Sequence, residues 1–342
     1  ADRRQITLNR AAIDFAREAA EEYGLGDDVF SACGKHNGAA TAQGAGLLQD
    51  YARHLTSLGE EFQTLDQAAM KALTGTDFYV SGLFTPGTAI IQPAAYVRGV
   101  AAGLAGQVDI CENSPVLQVS RQGADHILKT PVGQVTTPKV ILAVNGHAQS
   151  FGLYAHRFMH VFTYASMTRE LSRGELDRLG GSGNRGIIPA EPMGTTVRRL
   201  AENRIIIRNR FTLDQSMEVS DARIARMGHS HDRSFARRFP MLGDVEMQYR
   251  WGGRLCLSLN SVPAFGEIED GVYSANCQNG LGTVKGTLAG MMAAELAAGG
   301  NSPLLADMLA TDPPRRLPPD WMLKIGANAV MRWKEHKAGI EL

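Results

Sequence analysis

The stretch from Gly271 to Gly290, GVYSANCQNGLGTVKGTLAG, decides how the rest of this 342-residue chain is read. It has the look of a short strand (Val272–Ala275), a polar turn with glycines (Asn276–Gly282), and then a helix. Gly280, Gly282, Gly286 and Gly290 recur at spacings of two, four and four. The first pair suits a tight turn where a ligand can approach the backbone; the later pair clears one helix face for close packing. A helix opened this way presents unpaired N–H groups and the positive end of its dipole, which suits an anion or an electron-rich carbonyl. Close packing alone explains such turns about as often as ligand contact does, so the context has to decide.

Bulk composition narrows that context. Hydrophobic residues make up 44% and charged residues 20%, as expected of a globular chain with a real core in one large or two interwoven domains. Lys+Arg and Asp+Glu balance at 35 each, so no net field argues for a nucleic-acid or anionic-membrane partner. No run approaches the roughly 18 apolar residues of a membrane span. The N-terminal ADRRQITLNR has no apolar signal core. Cys33, Cys111, Cys256 and Cys277 are far apart in sequence and form no CxxC pair, which favours reduced thiols in the cytoplasm over disulfides or zinc. His229 and His231 in GHSHD are the one candidate chelate, and a polar loop is the plainer reading; no metal is expected.

Along the chain, residues 5–24 show an amphipathic helical pattern ending near Gly24. Residues 29–42 read as strand, turn, strand, with His36 and Asn37 as possible pocket polars or simple turn residues. Two helices follow in 44–75, then the extended YVSGLFTPGTAII, then a helix with Pro93 in its first turn. A strand VDIC, an antiparallel meander (PVLQVSR, HILKT, QVTTPK) and KVILAVNG come next. The last is expected to be a continuous strand buried on both faces. Beyond a Gly/Ser-rich loop at 180–186, strands are expected at 187–189, 195–199 and 204–210. Alternation in IIIRNR places Arg208 and Arg210 on one face. A helix over 219–238, strands in MQYRWGGRLCLSLNSVPAFGEI, the opening stretch, and a Pro-rich connector to an amphipathic helix (321–337) complete the chain.

Four blocks in this order, GLFTPGTAIIQPAAYVRGVAAGLA, KVILAVNGHAQSF, WGG…SVPAFG and GVYSANCQNGLGTVKGTLAG, resemble the D-amino-acid-oxidase/glycine-oxidase superfamily of FAD enzymes. The NGLG turn and the tail RRLPPDWMLKIGANAVMRWKEHKAG are similar to its gamma-glutamylputrescine-oxidase-like branch. The resemblance implies an α/β fold: a Rossmann-like FAD-binding domain (1–29, 92–151, 263–299) interwoven with an antiparallel-sheet substrate domain (30–91, 152–262), and a helical tail (300–342). Family members begin with a strand–GxGxxG–helix unit for the FAD pyrophosphate, and no such unit occurs here. Residue 1 corresponds to a point roughly 80–90 residues into a family member. Three explanations stay open: the segment belongs to the protein but is left off or removed here, it is a separate chain, or it is lost. The first is favoured, because apolar surface written for the missing strand would otherwise be exposed.

By resemblance, Val116 passes the adenine, and Ala143, Asn145 and Gly146 lie below the pyrophosphate. Core strand is the competing reading for Val116 and Ala143. Backbone N–H groups of Gly280, Leu281, Gly282 and Thr283 are expected to bond the flavin pyrimidine carbonyl, where reduction builds negative charge. Lys285, where the branch usually has an apolar residue, faces either the flavin or water. Arg208 or Arg210 is expected to grip a substrate carboxylate, against the reading of ordinary strand-edge arginines. Tyr249, Trp251 and Tyr273 either wall the pocket or belong to the core. The implied activity is FAD-dependent oxidation of an amine or amino acid at C–N, with oxygen or a carrier taking the electrons. The alternative is a non-catalytic or split-enzyme subunit that keeps the fold without its nucleotide half. A NAD-linked dehydrogenase lacks the same fingerprint and gains nothing elsewhere.

Overall fold

A computed structural model describes residues 2–181 and 183–342. Ser182, in the expected glycine-rich loop, and Ala1 lie outside the described residues. The chain divides into two units: residues 1–24, 93–160 and 255–320, and residues 25–92, 161–254 and 321–342. The expected separate tail is therefore corrected: 300–320 packs with the first unit and 321–342 with the second.

In the first unit the helix Asp2–Glu22 packs against the helix Gly282–Ala297. Leu8 and Ala12 meet Ala275, Leu288, Ala289, Met292 and Ala293 in one core, where the small side chains allow close approach. The Tyr96 hydroxyl of the helix Pro93–Gly103 donates to the Ala16 carbonyl at 3.1 Å, tying that helix to the first. A three-stranded sheet runs in the order Ala264–Glu269, Val272–Asn276, Val140–Leu142; the first pair is antiparallel and the second parallel. The meander forms as expected, with antiparallel strands Gln118–Gln122, Asp125–Thr130 and Gly133–Thr137.

Two strand expectations in this unit fail. VDIC is not a strand: Val108 makes one isolated bridge with Ala105, and Val108 and Ile110 are both exposed. KVILAVNG is not a long strand buried on both faces. Only Val140–Leu142 is extended, Ile141 is 41% exposed, and Asn145 at φ 50° opens the 3-10 helix Asn145–Phe151. The Asn145 side chain explains the early stop, since its Oδ1 accepts from the Cys277 N–H at 3.1 Å.

The second unit carries an eight-stranded sheet in the order Met247–Ser258, Phe158–Thr168, Ile205–Leu213, Thr196–Arg199, Arg185–Pro189, Lys35–Ala39, Ser81–Thr85, Gln63–Asp66. Arg185–Pro189 and Lys35–Ala39 run parallel, whereas the pairs on either side of them are antiparallel. The strand Gln63–Asp66 takes in Leu65 and Asp66 from the start of the second expected helix, which begins instead at Gln67, capped by Asp66 accepting from the Ala69 N–H. One face of the sheet buries Ile187, Val197, Ile205 and Ile207 against Phe235 of the helix Asp221–Arg238. Ser220 caps that helix by accepting from the Arg223 N–H. The opposite face is covered at one end by the helix Ala42–Leu58, which packs on Lys35–Ala39 and Ser81–Thr85.

Candidate functional site

In the first unit the parallel strands Val140–Leu142 and Val272–Asn276 end on the same side of their sheet, the side where open α/β sheets bind ligands. Ala143, Asn145 and Gly146 leave one strand there, and the turn 277–282 leaves the other. Asn276 clamps the two ends together: its Nδ2 donates to the Leu142 carbonyl and to Ser274 Oγ, both at 2.9 Å. The turn is made by three residues at positive φ, Cys277 (59°), Asn279 (52°) and Gly280 (78°). Asn279 holds it in place by accepting from the Ser258 N–H at 2.9 Å and donating to the Val262 carbonyl at 2.8 Å.

The helix that follows begins without a side-chain cap at Leu281. Gly280, Leu281, Gly282 and Thr283 are all exposed, and a Cβ added at Gly282 meets nothing within 4 Å. The Leu281 N–H is not free for a ligand, however; it donates to the Gln278 carbonyl at 3.1 Å. Of the four expected donors, the backbone N–H groups of Gly280, Gly282 and Thr283 have no such partner among the described residues. Asn145 commits its Oδ1 to the Cys277 N–H, Ala143 is exposed and Gly146 buried. Val116 is half-buried just before the first meander strand.

Lys285 stands one turn into the helix and is half-buried. Burial lowers its pKa, against the raising effect of nearby Cys277. Its side chain lines a cavity of about 80 Å³ with Gln5, Leu8 and Ser261. Cys256 and Cys277, remote in sequence, are neighbours: the Cys277 thiol donates to the Cys256 carbonyl at 3.7 Å. Donation from Cys256 holds the Cys277 thiol below the usual range. All four cysteines are free. Tyr273 is buried in its strand within this unit.

The second unit brings Arg208, Tyr249 and Trp251 onto one sheet face. Arg250 donates to Ser166 and to Asp232 of the Asp221–Arg238 helix, so it lies on the helix-covered face. Alternation turns Tyr249 and Trp251 to the other face, where both are exposed. Arg208 shares that face. Its Nη2 donates to Thr196 at 2.7 Å, its Nη1 reaches Thr163 at 3.4 Å, and its guanidinium lies 5.5 Å from the Phe211 ring centre. Burial, then the neighbouring Arg198 charge, push its pKa down to about 10.

Arg210 does not share this face. Between Thr163 and Tyr164 the register with Phe158–Thr168 shifts: Tyr164 faces Asn209, Thr163 faces Phe211, and Arg210 is the extra residue at φ 63°. This bulge reverses the alternation. Arg210 instead donates to Ser230 at 3.0 Å and pairs with Glu335 at 2.5 Å. Arg198, which no sequence signal singled out, does lie beside Arg208, since Thr196 pairs with Arg208 and Arg198 with Ile206. Only the strand register reveals it.

His36 and Asn37 lie within the strand Lys35–Ala39, with His36 Nδ1 and Asn37 Oδ1 buried and unpartnered; burial lowers the His36 pKa. His231 is no chelate half: it is buried, bonded to Ser166 Oγ at 2.7 Å, and held down to about 4 by burial. Among the described residues no helix is long and apolar enough to cross a membrane.

A probable oxidoreductase, OrdL, of Haemophilus influenzae is 28% identical over 246 residues, covering 70% of this chain and 54% of that protein. Gamma-glutamylputrescine oxidoreductase of Escherichia coli is 26% identical over 245 residues, covering 70% and 55%. The chain thus spans about half the length of these curated relatives. Glycine oxidase from Geobacillus kaustophilus shares the fold at TM-score 0.73 and 18% identity, covering 86% of this chain and 78% of that one. The turn found here fits the flavin such proteins carry: an uncapped helix N-terminus with three open N–H groups, beside the unpartnered buried Gln278 Oε1. With a family model matched over residues 1–296, the chain belongs to the FAD dependent oxidoreductase family (DAO), and its cofactor is FAD.

Proposed function

We propose that this protein oxidises an amine or amino acid bearing a carboxylate, at the carbon next to nitrogen, to an imine that water hydrolyses. When bound, FAD supplies the hydride acceptor. Gly280, Gly282 and Thr283 are the groups that would hold its electron-rich pyrimidine carbonyl, with Lys285 adding positive charge one turn along the same helix. Ala143 and Gly146, at the adjoining strand end, would border the pyrophosphate, and Val116 the adenine. Arg208 receives the substrate carboxylate through its planar fork, while Tyr249 and Trp251 wall the pocket and exclude water. In relatives such a carboxylated amine substrate is named in gamma-glutamylputrescine oxidoreductase and glycine oxidase. Four free thiols support action in the cytoplasm.

The observation that carries this reading is Arg208: a half-buried guanidinium, its pKa held down by burial, that meets two threonine hydroxyls and, among the described residues, no carboxylate. A buried cation left without a counter-charge is costly, and an anionic ligand removes the cost. Turnover of a panel of amines, with the carbonyl product trapped and counted, tests it. Carboxylated amines should be oxidised with kcat/KM well above their amide or ester counterparts. Equal rates for acid and ester would contradict the role of Arg208.

A further inference from the structure

Arg208 and Arg198 stand on adjacent antiparallel strands as diagonal neighbours, a relation that spans about 7–8 Å and less between Cβ atoms, which two long side chains easily bridge. In this unit Arg169 pairs with Glu175, Arg210 with Glu335, Arg223 with Asp214 and Arg250 with Asp232, while the neighbouring Arg185 donates to the Gly180 carbonyl and Arg199 to those of Gly180 and Gly181. The Arg208 side chain meets only hydroxyls and a ring, and the Arg198 side chain makes no hydrogen bond or ion pair among the described residues. Arg198 is exposed, and desolvation by the surrounding chain lowers its pKa from the ordinary arginine value. Two neighbouring cations with no counter-charge repel each other, and partial burial strengthens the repulsion.

Resting on the acidic-amine reading above, we infer that the substrate carries two carboxylates, one received by Arg208 and the other by Arg198. A single carboxylate would leave one guanidinium uncompensated. Two carboxylates joined by a short carbon chain neutralise both, each matched to a planar fork that lysine would not reproduce.

The test uses the full chain and ligands without an amine, so that binding is measured apart from oxidation. Glutarate and valerate, of equal carbon number with two and one carboxylates, are titrated by calorimetry. Glutarate should bind about tenfold tighter or better. Arg198→Ala and Arg198→Gln should each bring glutarate down to the valerate level and leave valerate binding unchanged. Equal affinities in the unsubstituted protein, a preference that survives both substitutions, or binding of neither ligand would overturn the inference. Failure of the chain to oxidise any amine would instead sink the proposed function, and the glutarate preference would still be read independently.

Discussion

The Gly280–Thr283 turn and the face around Arg208 offer polar groups to a ligand by opposite means. The turn uses backbone N–H groups whose direction is set by three positive φ angles and by the Asn279 side chain. The face uses guanidiniums whose direction is set by strand parity, and one bulged residue is enough to send Arg210 to the other side. The turn should therefore tolerate many side-chain changes and fail on a backbone change. The arginine face should fail on single side-chain changes and be blind to those on the opposite face.

The largest expected effect is at Arg208. Arg208→Ala should lower kcat/KM for a carboxylated amine by about 10²–10³-fold, the worth of a charge-assisted two-point contact. Arg210→Ala, two residues away but facing Glu335, should leave kcat/KM unchanged. Comparable losses at both positions would break the parity argument.

Next in size is a pH effect confined to the second unit. Burial keeps His231 neutral, with a folded pKa of about 4 against an ordinary value near 6.5. Its contribution is fully present above about pH 6.5 and is lost as pH falls toward 4, by up to about 3 kcal/mol. Denaturant unfolding from pH 7 to 4 should show this loss, and His231→Gln should flatten it.

Smaller again is Gly280→Ala. An added Cβ has room, lying 3.8 Å from Leu255 and 3.9 Å from Leu257, so the cost is the positive φ alone, about 1–2 kcal/mol. FAD affinity measured by flavin fluorescence should weaken about tenfold, whereas Leu281→Ala at the same turn should change little.

What could be read from the sequence followed from how local its causes are. The strand–turn–helix at 272–297 was legible because a short apolar run, an Asn/Gly turn and spaced glycines are all neighbours in sequence. The meander was legible for the same reason. The stop after Leu142 was not, because it depends on Asn145 reaching Cys277, 132 residues away. The Arg208/Arg210 face was misread because the bulge exists only in the register between Phe158–Thr168 and Ile205–Leu213. Arg198 was invisible, being one arginine in TTVRR until strand pairing sets it diagonal to Arg208. Nothing in NGLG announces the bond of the Leu281 N–H to the Gln278 carbonyl.

One measurement tests the whole account most directly: the visible spectrum of the full chain with FAD, taken without oxygen before and after a carboxylated amine is added. A protein-bound flavin band is expected, bleached by the amine in the unsubstituted protein and far more slowly in Arg208→Ala. A chain that binds no flavin, or whose bound flavin is reduced equally fast in both proteins, would contradict it.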